Sequence, residues 1–358
     1  MQRVVLILLL VVCTLPGLSG CAPQADETTP QVGDSAEVHN ARGAELYAQG
    51  DFAAAIAEYD RAIALDPDYA NAYNNRGAVS FIQGDLPAAI ADFDRAVESN
   101  PEYAEAYYNR GAARAALDDL DGAIADFDQA IALNTTYAAA YTGRATARRD
   151  QDDLFGAIAD YTTAIQLDPD RAASYFGRGS TYYLQGDLDN AIADYGRVID
   201  LDPDMAEAYY RRGVARYDRE DTDGAISDYD QAIALDPDYV EAYLKRGIAR
   251  YNQDDLGGAI SDYDRVIALA PESARVYNSR GLARFKLGDL DGAISDYDQA
   301  IALDPGYAPA YAGRGFARES KGDLDGALED YRYFLELRPD DTMVMGRVDE
   351  LEAELSGQ

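Results

Sequence analysis

The 358-residue sequence predicts an all-α solenoid of nine stacked helix–turn–helix units followed by a capping helix. Three observations lead there. A stretch of 34 residues, best read at Ala206 to Tyr239, is written nine times, and a fixed period of that size marks stacked repeats. Within it Tyr209, Gly213 and Tyr217 share one side of a 3.6-residue period, as do Ala225, Tyr229, Ala232 and Ile233, which gives two amphipathic helices, A and B. The polar turn Arg219 to Asp223 separates them. Asp236-Pro237 ends the second, because a residue before proline is pushed out of the α region.

From the N-terminus, Met1-Gln2-Arg3 brings one positive charge, Val4 to Leu15 is an apolar run, and Leu18-Ser19-Gly20-Cys21 follows. The run is too short and wrongly flanked for a membrane-spanning helix, so residues 1–20 are expected to be an export signal. Small residues before a Cys resemble the bacterial lipoprotein lipobox. That resemblance implies a diacylglyceryl group on the Cys21 sulfur, cleavage before Cys21 and acylation, palmitate included, of the new amine. An ordinary secretory signal with a coincidental Cys is the alternative. Cys13 would leave with the signal, so a lipidated chain would keep no free thiol and no disulfide. Two or three acyl chains anchor a protein stably on a bilayer. The implied place is the bacterial cell envelope, lipid-anchored through Cys21 and facing the periplasm or the exterior.

Residues 21–35 follow as lipidated Cys and disordered tether, since Ala22 to Ser35 is rich in Pro, Thr, Asp, Gln and Glu without an apolar period. Such a tether spans at most about 50 Å. Asp34 and Glu37 have capping-box spacing and mark where order begins.

The nine repeats are 36–69, 70–103, 104–137, 138–171, 172–205, 206–239, 240–273, 274–307 and 308–341. The eighth place is Gly in all but the fourth (Gly43, Gly77, Gly111, Ala145, Gly179, Gly213, Gly247, Gly281, Gly315), and the twentieth is Ala in all nine. Residues this small let the two helix backbones approach at their crossing. The pattern Tyr209-x2-Arg212-Gly213-x2-Arg216, then Ala225-x3-Tyr229, Ala232 and Pro237, resembles the tetratricopeptide repeat. Over residues 36–341 it implies a right-handed superhelical solenoid of antiparallel helix pairs that serves as a binding scaffold. A single unit cannot bury its apolar face alone, so the ends need protection. Residues 342–358 supply a cap helix and tail, with Val344, Val348, Leu351 and Leu355 on one stripe.

The formal charge of −34 disfavours nucleic acid as a partner. The acids recur at fixed places: the A–B turn, helix B and the Asp-Pro-Asp closures. A basic partner and a plainly solvated surface both fit. Two departures from the family pattern stand out. Where the family usually has Leu at place 7, all nine repeats have Arg, and six add Arg at place 11. Where helix B usually has an aromatic at place 23, all nine have an acid, Glu58 in the first repeat and Asp in the others. Arginines at i, i+4 repel, so something anionic should face them. A structural ion-pair ladder is expected, exemplified by Arg212 with Asp228 and Arg246 with Asp262; an anion-binding arginine stripe is the alternative.

No catalytic constellation is expected, and no metal or cofactor site. His39 is the single His, standing at place 4 where the other repeats have Tyr, and no glycine-rich phosphate loop occurs. The turns at Asp119, Asp221 and Asp289 resemble the middle of a calcium loop but lack its first carboxylate. A binding surface remains. In the family the concave face is implied to be lined by places 2, 5, 9, 12 and 13 of helices A. In repeats 5 to 8 those places and their neighbours hold Phe176, Tyr183, Tyr210, Arg211, Val214, Tyr217, Leu244, Lys245, Ile248, Tyr251, Arg275, Leu282 and Phe285. In repeats 1 to 4 the same face has Asn40, Ala44, Asn74, Ala78, Ala112 and Ala115. Aromatics and Arg are enriched in binding hot spots. The expected function is therefore a membrane-anchored, non-enzymatic scaffold that binds a protein or peptide client in this groove, in envelope assembly as lipoprotein members of the family are implied to do. A structural spacer with an empty groove is the rival.

Overall fold

The computed structural model describes residues 34–357; the expected export signal, Cys21 and nearly all of the expected tether lie outside them. Among the described residues there are nineteen α-helices and no strand. Helices A and B alternate: α1 (Ala36–Ala48), α2 (Phe52–Leu65), α3 (Ala70–Ile82), α4 (Leu86–Ser99), α5 (Ala104–Ala116), α6 (Leu120–Leu133), α7 (Ala138–Asp150), α8 (Leu154–Leu167), α9 (Ala172–Gln185) and α10 (Leu188–Leu201). They continue with α11 (Ala206–Asp218), α12 (Thr222–Leu235), α13 (Val240–Asn252), α14 (Leu256–Leu269), α15 (Ala274–Leu287), α16 (Leu290–Leu303), α17 (Ala308–Ser320), α18 (Leu324–Leu337) and the terminal α19 (Thr342–Ser356). The chain divides into two compact units, Met1–Arg197 and Val198–Gln358. Within each, a helix A packs on the B helix of its own repeat and that B helix on the next A.

The turn between A and B explains much of the regular acid. Its Asp at place 16 caps helix B: Asp51 accepts from the Ala54 N–H at 3.1 Å, Asp119 from Gly122 at 3.1 Å, Asp221 from Gly224 at 3.1 Å and Asp289 from Gly292 at 3.0 Å. The turns that resembled calcium loops are helix caps. One residue earlier the backbone is left-handed in every repeat. Gly serves there at Gly50, Gly84, Gly186, Gly288 and Gly322, but Asp118, Asp152, Glu220 and Asp254 adopt the same φ of 63–67° with a side chain attached. At the other end of helix B, Asp66 accepts from the Asp68 N–H at 3.1 Å and closes the Asp-Pro-Asp corner. Ser35 caps α1 by accepting from the Val38 N–H. Asp34, expected in that role, instead reaches His39.

The core is one contact repeated. An aromatic at place 24 lies under the place-8 glycine of its own repeat. A Cβ on Gly213 would stand 2.7 Å from Tyr229 Cε1, one on Gly77 2.8 Å from Phe93 Cε1, and one on Gly247 2.8 Å from Tyr263 Cε1. These rings and the Ala at places 20 and 27 are almost entirely removed from solvent, as in Ala225, Tyr229 and Ala232. The expectation that an acid displaces the aromatic of helix B is thereby corrected. The aromatic stands one place later, because helix B needs that position, not place 23, to face the glycine. The acid beside it looks toward the arginines. At the C-terminus Val344, Val348 and Leu351 of α19 bury against Leu328, Tyr331 and Phe334 of α18, so α19 covers the last repeat.

Candidate functional site

Each acid at place 23 is at most 8% exposed, and a buried carboxylate needs charge and hydrogen bonds around it. Its repeat supplies them. Arg212 donates through Nε to Asp228 Oδ2 at 3.0 Å and through Nη2 to Oδ1 at 2.7 Å, and Arg216 adds Nη1 to Oδ2 at 2.9 Å. Arg246 grips Asp262 in the same fork at 3.0 and 2.5 Å, with Arg250 at 2.9 Å. The same place-7 fork recurs from Arg76 to Arg314. The third donor of most place-7 arginines crosses to the preceding repeat: Arg110 meets Asp94 at 2.7 Å, Arg246 meets Asp230 at 2.5 Å and Arg280 meets Asp264 at 2.6 Å. Asp92 lifts the Arg76 guanidinium above its ordinary range, against burial and with help from Asp60. Tyr at place 4 covers the cation, as Tyr243 does for Arg246 at 5.3 Å. The guanidinium donors are spent on internal carboxylates, so the arginine stripe is not an anion site.

The first repeat solves the same problem differently. Glu58 is held by Arg61 at 2.7 Å and by His39, whose Nδ1 lies 2.6 Å from Glu58 Oε2 while Nε2 lies 2.5 Å from Asp34 Oδ1. Glu58 and then Asp34 raise the His39 pKa above its ordinary value. His39 in turn holds the Glu58 carboxyl below its own, against burial and with the charges of Arg61 and Arg42 adding to it.

The expected groove residues fall into both units. In the first, Phe176 is only 7% exposed and sits edge-on to Tyr195 at 5.6 Å, which makes it core and unavailable to a client; Tyr183 is half-buried. In the second, Tyr210 is half-buried between Tyr229 at 6.1 Å and Tyr239 at 5.1 Å, and burial pushes its phenol up. Arg211 lies over the Tyr210 ring and donates to Glu207 at 2.6 Å, and Glu207 also accepts from the Tyr239 hydroxyl. Tyr210 and Arg211 are thus tied into the fold. Val214 is half-buried, and Tyr217 accepts from Asn252 at 2.5 Å. On α13, Leu244, Ile248 and Tyr251 are half-buried, with Lys286 of α15 over the Tyr251 ring at 5.1 Å. On α15, Leu282 is 42% exposed and Phe285 half-buried.

Lys245 and Arg275 differ from nearly every other base in this acidic chain. Among the described residues neither has a carboxylate within 4 Å, although Glu241 precedes Lys245 by one helical turn. Periodicity alone located both residues; what it missed was that most of the other cations are already paired.

A family model described as TPR repeat matches residues 43–81, 79–118, 145–186, 179–218 and 215–254. Two described as tetratricopeptide repeat match 244–308 with 278–342, and 104–137. No curated protein matches the chain. Among solved structures, MamA protein is 31% identical over 48% of this chain and 94% of that one, with a TM-score of 0.46. A tetratricopeptide repeat protein from Parabacteroides merdae ATCC 43184 is 19% identical over 70% of this chain and 98% of that one, with a TM-score of 0.49. YrrB, described as a TPR protein with an unusual peptide-binding site, is 24% identical over 51% of this chain and 95% of that one, with a TM-score of 0.43.

Proposed function

This chain belongs to the tetratricopeptide repeat family, and from that premise we propose that it is a membrane-anchored, non-enzymatic scaffold that holds a protein or peptide client on the A-helix face of its second unit. Proteins of this family are in general interaction scaffolds, and nothing points to catalysis. The observation that carries the reading is the contrast between A helices. In α13 and α15 the face left by the B helices carries Leu244, Ile248, Tyr251, Leu282 and Phe285, partly open to solvent, where α1, α3 and α5 carry Asn40, Ala44, Asn74, Ala78, Ala112 and Ala115. Large apolar and aromatic side chains half-removed from water are what a client can finish burying.

Anchoring rests on Leu18-Ser19-Gly20-Cys21, with residues 22–35 as the tether that sets the scaffold off a bilayer. The client would be gathered at the envelope surface, in an assembly role. Two measurements test this. Cys21→Ser should abolish incorporation of labelled palmitate and move the chain from the membrane to the soluble fraction; unchanged membrane association would refute the anchor. Capture from envelope extract at moderate salt should retain a client on the parent chain and lose it on the folded Tyr251→Ala/Leu282→Ala variant. Equal capture by both, removed by salt, would leave a charge-driven association and favour the spacer.

A further inference from the structure

We infer that the turn edge between the fourth and fifth repeats is a second docking surface, which takes a basic segment of a partner protein by receiving one of its arginines on the Phe155 ring. It lies in the first unit and does not depend on the client face of α13 and α15.

Successive A–B turns of this chain clasp one another. Place 14 of one repeat donates to the Asp at place 18 of the repeat before: Gln151 to Asp121 at 2.7 Å, Gln253 to Asp223 at 2.7 Å, and Lys321 to Asp291. In the fourth repeat place 18 is Phe155, so Gln185 of the fifth meets a ring instead of an acceptor, and its side chain has no hydrogen-bond partner among the described residues. Ala53, Pro87 and Gly257 also lack the acceptor, but none of them is large. Phe155 is 83% exposed, more than any other large apolar side chain among the described residues, and it lines a depression with Asp152, Asp153, Leu154 and Gln185. The register that brings Lys286 to Asp254 sets Leu184, itself 61% exposed, beside Asp152. Scattered apolar side chains need no account, whereas a ring and a leucine standing where a polar clasp is usual form a patch that a partner can cover.

Charge decides what covers it. The turns of the third, fourth and fifth repeats, residues 117–121, 151–155 and 185–189, hold seven Asp and neither Lys nor Arg. The arginines just before the middle turn are engaged: Arg148 donates to buried Asp160 at 2.7 Å with its Nε 4.0 Å from Asp153, and Arg149 donates to Asp150 at 3.0 Å. A second copy of this acidic chain would meet like charge there, as would an anionic bilayer. The complement is a cation, and the fold itself shows how it holds one. Arg246 lies over the Tyr243 ring at 5.3 Å with its fork on Asp262, an arrangement repeated along the chain. Phe155 and Asp152 offer the same two elements at the surface, an aromatic face and a carboxylate. Arginine suits them better than lysine, because its planar guanidinium stacks on a ring while its N–H groups reach a carboxylate. Leu184 receives an apolar neighbour of that arginine.

The test titrates the full chain with two fluorescent dodecapeptides, alternating leucine with arginine or with lysine, by anisotropy at moderate salt, where long-range attraction to a chain of charge −34 is screened. The parent should bind the arginine peptide about fivefold more tightly than the lysine one. Phe155→Asp installs the residue that five other repeats carry at this place and gives Gln185 an acceptor, so it keeps the fold while adding a negative charge. It should weaken the arginine peptide about tenfold and erase the preference over lysine. Attraction by charge alone predicts unchanged or tighter binding by this variant, and that result overturns the proposal. Asp152→Asn suits the left-handed backbone there, φ 67°, and should weaken the arginine peptide about threefold; no change would remove the carboxylate from the site and overturn it as drawn. Circular dichroism checks that each variant is folded. Equal affinity of the parent for both peptides, or binding of neither, overturns the proposal too, and leaves the reading of α13 and α15 as it stands.

Discussion

Helices B and helices A of this chain are under different demands. The B helices repeat nearly one text, capping Asp, buried Ala, buried acid, aromatic, Ala, and each of those residues has a partner inside the fold. The A helices keep Arg at place 7, a small residue at place 8 and, in eight repeats, Tyr at place 4, and vary at places 5, 9 and 12. The constant helix is a mould and the variable helix carries what distinguishes one repeat from the next. Sequence regularity in such a chain therefore reports stability, and irregularity is where recognition should be sought.

The sharpest way to break the constant side is to remove one buried acid. Asp262→Ala removes the buried carboxylate that Arg246 and Arg250 share and leaves them only the more exposed Asp230 and Asp255, and the loss should be about 3 to 5 kcal/mol in thermal or urea unfolding. Arg246→Glu/Asp262→Arg should recover part of it, whereas strict additivity would mean that the fork carries no coupling energy. Filling the crossing comes next. Gly247→Ala sets a methyl 2.8 Å from Tyr263 Cε1 and 3.2 Å from Asp262 Cβ, and about 1 to 3 kcal/mol should be lost. Leu282→Ser, on the variable side, should by contrast change stability by no more than about 0.5 kcal/mol.

The first repeat sharpens the comparison from within the constant side. Elsewhere a guanidinium that never titrates holds the buried acid; here an imidazole does. The folded His39 pKa is raised above its reference of 6.5, so its contribution is fully present below pH 6.5 and is lost as pH rises through the folded value. Glu58 is lowered from 4.5, so its part is present above pH 4.5 and is lost as pH falls through its folded value. Amide exchange in α1 and α2 should accordingly accelerate above neutral pH, beyond the base-catalysed rise seen in α5 and α6. His39→Tyr should remove that excess; an unchanged excess would contradict the assignment. One further change is expected to be a gain. Glu220→Gly relieves a left-handed residue with a side chain and should add about 1 kcal/mol, read as a higher melting temperature.

Most of the fold was legible in the sequence, because a 34-residue period with glycine, alanine and proline at constant places leaves few ways to pack. What a period cannot tell is which neighbouring unit a side chain touches. Asp230 and Asp264 were visible as acids of helix B, but that each reaches forward to the next repeat's arginine depends on how successive helix pairs are offset. The family's helix-B aromatic was expected at place 23 although this chain carries its own at place 24, as in Tyr229, for a related reason: one residue along a helix turns a side chain by about 100°, and only the packed pair shows which of two adjacent positions meets the glycine. Phe176 was expected on the open face because the family resemblance implies that its place lines the concave face, yet that place is buried at Asn74, Tyr108 and Thr142 as well. Its ring turned inward onto Tyr195, while Leu282 stayed outside. Lys245 and Arg275 stood out only once most other bases could be matched to their acids.

The account's central claim is that the client touches the variable face of α13 and α15 and not the equivalent face of the early repeats. A photo-crosslinking residue placed at Leu282 and, separately, at the half-buried Ala78, which holds the same place in the second repeat, measures this directly in the full chain in its native membrane. A discrete adduct from position 282 that is absent from position 78 is the predicted result. Adducts of equal yield from both positions, or from neither, would contradict it.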